Sequence, residues 1–442
     1  MIVIKNTRAM QFNPPKVWNN VDVVIDGTDI IDVGPGIASN YKADKIIDGT
    51  DKLTYPGLTC SHHHYYSGLS RGVMAEIGPT PDFVSILKNL WWRMDRALDE
   101  ESTYYSGLIS SIDAIKAGTT TVIDHHASPN YINGSLSTIR RSMEKVGLRG
   151  MTCYEVTDRN GVDQMKAGVE ENIRFAKEID ADKKDFSKPY IFESHIGGHA
   201  PCTINNDGLE MMADAIKSTG KGLHLHVAED KYDVSQSHLV YGQDIVKRLD
   251  NLGMLNDKTI LVHGIFLNTE EINILNERNG FLVHNSRSNM NNNVGYNSRL
   301  GDYKNLALGT DGIGPNMFEE IKVAYFKHKD DGGPLWPGDF LGFLSNGNEL
   351  LKRNFGANFG QLASGYKADI VVADYLSPSP LVGDNIGGHM VFGMTSGDVE
   401  TVLVNGKVVM ENRKFPFDVK EIYAKASDVA QKVWNNMDKI KP

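Results

Sequence analysis

Cysteine is scarce: Cys60, Cys153 and Cys202 are the only three among 442 residues. An odd number at wide spacing, with no CxxC pair, makes no disulfide framework. A reducing, cytoplasmic setting is expected. The sequence also lacks any uninterrupted apolar run of the about 18–20 residues needed to cross a bilayer. Its opening, MIVIKNTRAMQFNPP, meets charged and polar residues at once and has no signal-peptide core. Export and membrane insertion are therefore not expected. Positive charge is in deficit, with Lys+Arg 46 against Asp+Glu 56 and a net charge of −10. Polyanion binding needs clustered Lys and Arg, so a nucleic-acid partner is excluded while a nucleotide-sized substrate is not. What is present, 40% hydrophobic and 23% charged residues, is ordinary for a globular enzyme.

Two rhythms divide the chain. Near the N-terminus, Met1–Lys5, Val21–Ile25 and Ile30–Val33 alternate apolar and polar residues, with a turn signal at Asp26-Gly27. Near the C-terminus, Ala368–Ala373 and Val399–Val404 read as strands, and Asn405-Gly406 signals a hairpin into Lys407–Met410. Residues 1–54 and 366–442 are thus expected to form one composite β-sandwich domain. A terminal helix, capped by Asp418, should reach about Lys439. Between the ends, β-rich runs alternate with helical stretches: Leu58–His64, Thr119–His126, Gly150–Val156, Tyr190–Ile196, Gly222–Val227, Thr259–His263, Gly280–His284 and Asn305–Gly309. Such alternation indicates parallel βαβ units, and eight of them predict a (β/α)8 TIM barrel over residues 55–365. An open doubly wound sheet would not explain the polar residues that close nearly every run: His62 and His64, Asp124, Glu155, His199, His226, His263, His284 and Asp311. In a barrel, that rim carries the active site. The long gap after the first run holds Trp91-Trp92, which can fold over the mouth as a lid or pack a helix onto the barrel. The Asn- and Ser-rich stretch Asn285–Arg299 reads as a loop with specific hydrogen bonding.

Residues i and i+2 of a strand share a side. His62 and His64 can therefore place two imidazoles on one ion, with His63 pointing away. In His224-Leu225-His226-Val227-Ala228-Glu229, His226 can add a third ligand, and Glu229 can carry protons between water and substrate. His224 shares the face of His226 but lies one layer deeper. His263 closes the sixth run, and taken alone it is also what a hydrogen-bonded core imidazole looks like. Asp311 closes the eighth, next to the first in a closed barrel, where it can bind metal and accept a proton.

In the order HxH, HxxE, H and D, each closing a predicted strand, these residues resemble the amidohydrolase superfamily, within it the mononuclear deaminase and chlorohydrolase branch. The resemblance spans nearly the whole chain. The segments His62–Gly72, Trp91-Trp92, Asp124–Pro129 and Ser288–Asn292 are similar to aminohydrolases associated with purine-related catabolism. The resemblance implies that His62, His64, His226 and Asp311 hold one divalent metal, zinc first and iron second. It implies that Glu229, His263 and Asp311 are catalytic, and that His199, Trp92 and Asn289 touch substrate. Two positions depart from the pattern: His284-Asn285-Ser286 replaces the usual His-Asn-Pro, and His63 replaces a smaller residue. A second ion would need a bridging lysine at the fourth strand end. None stands near Ile196–Pro201, since Lys188 precedes that strand, and Glu193 lies mid-strand.

The implied activity is hydrolysis of a non-peptide C–N bond in a purine-like nitrogen heterocycle by water activated on the ion. Deamination, or ring opening of a cyclic amide in a reduced purine or pyrimidine, would use the same residues. A non-catalytic heterocycle-binding barrel is the alternative of another class. The expected partners are a small heterocyclic substrate and a second copy of the chain.

Overall fold

The computed structural model describes residues 1–185 and 187–441. Both chain ends build one eight-stranded sheet. Ile2–Phe12, Pro15–Asp26 and Asp29–Gly34 run antiparallel in sequence, and Lys45–Asp48 and Leu53–Pro56 pair parallel to the first of them. Ile370–Ala373 adds antiparallel to Leu53–Pro56, with Ile370 opposite Pro56, and Val399–Val404 and Lys407–Met410 follow. Period-two alternation turns Ile4, Val23, Ile25, Ile370, Val372 and Leu403 into a shared core. Strands from both chain ends therefore share one continuous sheet. Its remote turns meet where the Ala368 N–H donates to the Thr28 carbonyl at 2.9 Å. There Gly406 has φ +75°, and a Cβ on it would lie 2.0 Å from the Gly27 carbonyl oxygen, so only glycine fits.

The barrel strands are Leu58–His63, Thr119–His126, Arg149–Tyr154, the pair Phe192–Ser194 and Ile196–Gly198, Leu223–Val227, Ile260–His263, Phe281–His284 and Leu306–Leu308. All neighbouring pairs are parallel. The fourth strand is broken at His195: its first half pairs with the third strand and its second half with the fifth. The structure carries the strand on to Gly198, two residues past the expected end at Ile196. Glycine is required at 197, where a Cβ would approach the Tyr154 carbonyl oxygen to 2.5 Å. Closure occurs at the rim. The Thr310 N–H donates to the His62 carbonyl at 2.8 Å, and the His199 N–H donates to that of Val156 at 2.9 Å.

The insertion after the first strand lies over the mouth. Helices Phe83–Ile86 and Trp92–Ala97 are joined by a π turn, Leu87–Trp91. Such turns interrupt regular i→i−4 bonding and recur at functional sites. The terminal helix Val419–Met437 starts as expected, with Asp418 accepting from the Lys420 N–H at 2.8 Å. Its buried face, Val429, Val433 and Met437, packs with Met94 and Ala97 of the insertion. Arg93 donates to the Met437 carbonyl from Nε at 3.1 Å and from Nη2 at 2.7 Å, satisfying a helix-end acceptor. The stretch expected as a loop contains a short helix, Ser286–Asn291. Ser and Asn are weak helix formers, so side-chain contacts to the rim, not propensity, hold it. Among the described residues no helix is long and apolar enough to cross a membrane.

Barrel and sheet are tied by a buried ion pair. Arg149, at the start of the third barrel strand, donates from Nε to Asp369 Oδ2 at 2.8 Å and from Nη2 to Asn405 Oδ1 at 3.1 Å. Breaking a buried pair on one side costs about 3–5 kcal/mol. Asp369→Ala should lower unfolding stability by about that much in urea titrations; a loss under about 1 kcal/mol would deny the pair its anchoring role.

Candidate active site

Four histidines at the rim repeat one pattern. Each uses Nδ1 for an outer partner and turns Nε2 inward. His62 Nδ1 lies 2.8 Å from His224 Nε2. His64 Nδ1 donates to the His125 carbonyl at 2.6 Å, and His226 Nδ1 to that of His199 at 2.8 Å. His263 Nδ1 donates to Asn289 Oδ1 at 2.8 Å. Outer partners of this kind fix tautomer and ring orientation. The inward nitrogens crowd together: His64 Nε2 is 3.2 Å from His226 Nε2 and 2.7 Å from Asp311 Oδ1. His62 Nε2 is 3.4 Å from Asp311 Oδ1. The Nε2 atoms of His62 and His263 are buried without any hydrogen-bond partner. Facing lone pairs at such distances call for a shared cation or proton.

Backbone geometry aims these groups. Ala228, His263 and Asp311 have φ of +46°, +69° and +50°, the left-handed region that non-glycine residues avoid. At these points the strands break off sharply and their last side chains turn to the axis. Asp311 Oδ2 accepts a short hydrogen bond from Ser288 Oγ, which directs Oδ1 at the histidines.

Burial dominates the electrostatics. It pushes the His62 imidazole down to about 3, and His226 and His263 also fall below the ordinary value, burial being the main cause. His64 moves the other way: burial opposes its charge, but Asp311 and Glu155 raise it well above 6.5. Asp311 is the counterpart. Burial would raise it, yet His64, His62 and His263 hold it well below the carboxylate range. Glu229 is raised well above 4.5, first by burial and then by the charge of Asp311. Its Oε2 lies 3.5 Å from His263 Nε2, so a proton-holding carboxyl stands beside the cluster.

A cavity of about 220 Å³ opens beside this centre, lined by Trp92, Arg159, His199, His226 and Glu229 among others. A smaller space of about 40 Å³ continues it past His64, Asp311, Ser288 and Trp91. His199 and Trp92 face one another across the wall, their ring centroids 6.1 Å apart. Trp91 packs edge-on to Tyr66, at 6.4 Å. The two tryptophans thus split the roles left open by the sequence, Trp92 on the cavity and Trp91 on the packing behind it as well. Asn289 stands behind His263 and is absent from both cavity walls. His63 stays outside the cluster, its Nδ1 2.6 Å from the Asp311 carbonyl.

Other residues of the site carried no assigned role in the sequence. Glu155, which closes the third strand, places Oε1 3.0 Å from His64 Nδ1 and 3.4 Å from His125 Nδ1. Its place at a strand end was its one signal. Below the rim, His125, Cys153 and His224 lie close enough to suggest a second ion. The His125 and His224 rings are stacked at 4.4 Å and 20°, however, so their in-plane lone pairs run parallel and cannot converge. Glu193 is removed from the site, bound to Lys221 Nζ at 2.7 Å and to Tyr190 Oη at 2.8 Å.

The sequence and the fold have known counterparts. A protein of Thermococcus sibiricus named 5-methylthioadenosine/S-adenosylhomocysteine deaminase is 30% identical over 420 residues, 92% of this chain and 94% of its own. Among solved structures, an adenosine deaminase from Xanthomonas campestris with bound zinc superposes with a TM-score of 0.83 at 23% identity, covering 98% of each chain. Atrazine chlorohydrolase from Arthrobacter aurescens, complexed with zinc, gives 0.81 at 19% identity, covering 97% of this chain and 100% of that one. Residues 53–409 match the family described as Amidohydrolase family, and with most of its length inside that match the chain belongs to the amidohydrolase family.

Proposed function

We propose that the protein is a metal-dependent hydrolase that removes an exocyclic amino group from a purine-like heterocycle. The observation that carries this reading is the convergence of His62, His64, His226 and Asp311 on one point, with Glu229 and His263 at its edge and a cavity alongside. The four converging residues would hold one divalent ion. Three imidazoles and one carboxylate, with His62 Nε2 buried and unpartnered, are a donor set that suits zinc. Support comes also from the relatives: the Thermococcus protein is named a deaminase of adenosine derivatives, and the Xanthomonas structure is an adenosine deaminase with zinc.

When bound, the ion supplies a Lewis acid that lowers the pKa of water from about 15.7 toward about 7. Asp311 would hold the ion together with the histidines and accept a proton from water activated there. His263 accepts through Nε2, because Asn289 holds its Nδ1–H, and so orients the nucleophile. Glu229, kept protonated by burial, gives its proton to a ring nitrogen as the tetrahedral carbon forms. Proton return to the departing nitrogen then yields ammonia and a ring carbonyl. His199 and Trp92 flank the ring. We also propose a homodimer, supported by Phe326 and Phe392, which are 51% and 63% exposed with centroids 5.9 Å apart. The free cysteines are consistent with work in a reducing cytoplasm.

Metal analysis of purified protein should find about one zinc per chain, and Asp311→Ala should lose both metal and ammonia release from aminopurines. Full activity in metal-free protein would overturn the reading. Glu229→Gln should keep its zinc while kcat falls by about 10²–10⁴-fold; an unchanged kcat would remove Glu229 from proton transfer. Light scattering on the eluting protein should give twice the chain mass, and a monomer at every concentration would dismiss the homodimer.

A further inference from the structure

The cavity has a second polar pole away from the metal-binding cluster, built by residues 64 positions apart. Arg159 comes from the loop after the third barrel strand, and Asp95 and Trp92 from the insertion. The Arg159 side chain is 10% exposed and the Asp95 side chain 2%. Arg159 Nη2 donates to Asp95 Oδ2 in a short hydrogen bond. The guanidinium lies 4.9 Å from the Trp92 ring centroid. That arrangement leaves Arg159 Nε and Nη1, Trp92 Nε1 and Asp95 Oδ1 buried without partners. Buried N–H groups without acceptors are costly, at about 1–3 kcal/mol each. Arg159 and Trp92, which carry three such N–H groups, line the cavity and mark a place where a ligand completes the bonding.

The wall runs from the cluster to this pole in short steps. His226 and His199 have centroids 5.6 Å apart, His199 and Trp92 6.1 Å, and the guanidinium follows. A fused bicyclic ring with its reacting edge at Glu229 therefore carries its opposite edge toward Arg159. Charge selects what that edge bears. Asp95 already neutralises Arg159, and Asp158, Asp230 and Asp233 line the cavity against Lys88. A further carboxylate would be repelled, whereas an uncharged carbonyl oxygen accepts from the free N–H groups without adding charge.

We propose that Arg159, held by Asp95 and Trp92, is the specificity-determining residue of this site, and that it takes a ring carbonyl oxygen of an oxo-substituted purine-like substrate. This rests on the proposed function and names the substrate class within it. Arg159 touches the substrate away from the reacting atoms and has no share in proton transfer.

The test measures binding alone, so it can fail without ammonia release failing. Zinc-loaded protein is titrated calorimetrically with purine, hypoxanthine, 2-oxopurine and purine-6-carboxylate, none of which carries an amino group to lose. Hypoxanthine or 2-oxopurine should bind about 10- to 100-fold more tightly than purine. Arg159→Lys keeps a cation for Asp95 but not the planar fork, and should cut that ratio to about 3-fold or less. Arg159→Gln should do the same, while affinity for purine itself stays within about 3-fold of the wild type. Thermal melts of both variants report whether they are folded, and Arg159→Lys, which retains the ion pair, decides the matter if Arg159→Gln is not. Equal binding of purine and both oxopurines by the wild type would overturn the proposal, as would an unchanged ratio in Arg159→Lys. Tighter binding of purine-6-carboxylate than of either oxopurine would overturn the uncharged class.

Discussion

Two imidazole nitrogens 3.2 Å apart, with a carboxylate oxygen 2.7 Å from one of them, form an arrangement that only a positive charge can hold together. The rest of the site follows from that constraint. Each rim histidine spends Nδ1 on a partner behind it, so that Nε2 has one direction to face. His64 stays protonated against the cost of burial because Asp311 and Glu155 surround it, while Asp311 stays ionised because the histidines surround it. Without the ion, a proton on His64 stands in for part of its charge. Burial first, and the negative Asp311 after it, raise Glu229 and keep a proton at the cavity edge.

The barrel closes at the residues proposed to carry the chemistry. The hydrogen bond from Thr310 to the His62 carbonyl and the bridge between His63 and Asp311 join the last strand to the first. Closure error and ligand misplacement would therefore be one and the same defect. The cavity wall is secured from further away: the terminal helix packs beneath the insertion that carries Trp92 and Asp95, and Arg93 holds its end. The C-terminal segment thus supports the cavity wall without lining it.

Much of this was legible because it is local. A strand's period of two puts His62 and His64 on one side, and alternating strands and helices specify eight parallel units. The N-cap at Asp418 and the hairpin at Asn405-Gly406 are short-range signals, and the structure contains both elements. What the sequence did not yield depends on long-range contact. The helix Ser286–Asn291 has weak intrinsic propensity and exists because Ser288 and Asn289 bond to Asp311 and His263. The break in the fourth strand at His195 follows from the handover between two neighbours. Arg159, in a loop, and Asp95, in the helix Trp92–Ala97, meet although no spacing rule connects them.

The left-handed backbone at Ala228, His263 and Asp311 has its own consequence. Each such residue costs of order 1 kcal/mol or more, held in place by the surrounding fold. Replacement of Asp311 or His263 by glycine would relieve that tension and remove, in the same stroke, a side chain proposed to act in hydrolysis. Heat resistance and turnover therefore pull in opposite directions at these positions. A library of this chain screened for survival at high temperature alone would drift toward sturdy barrels that have lost their chemistry.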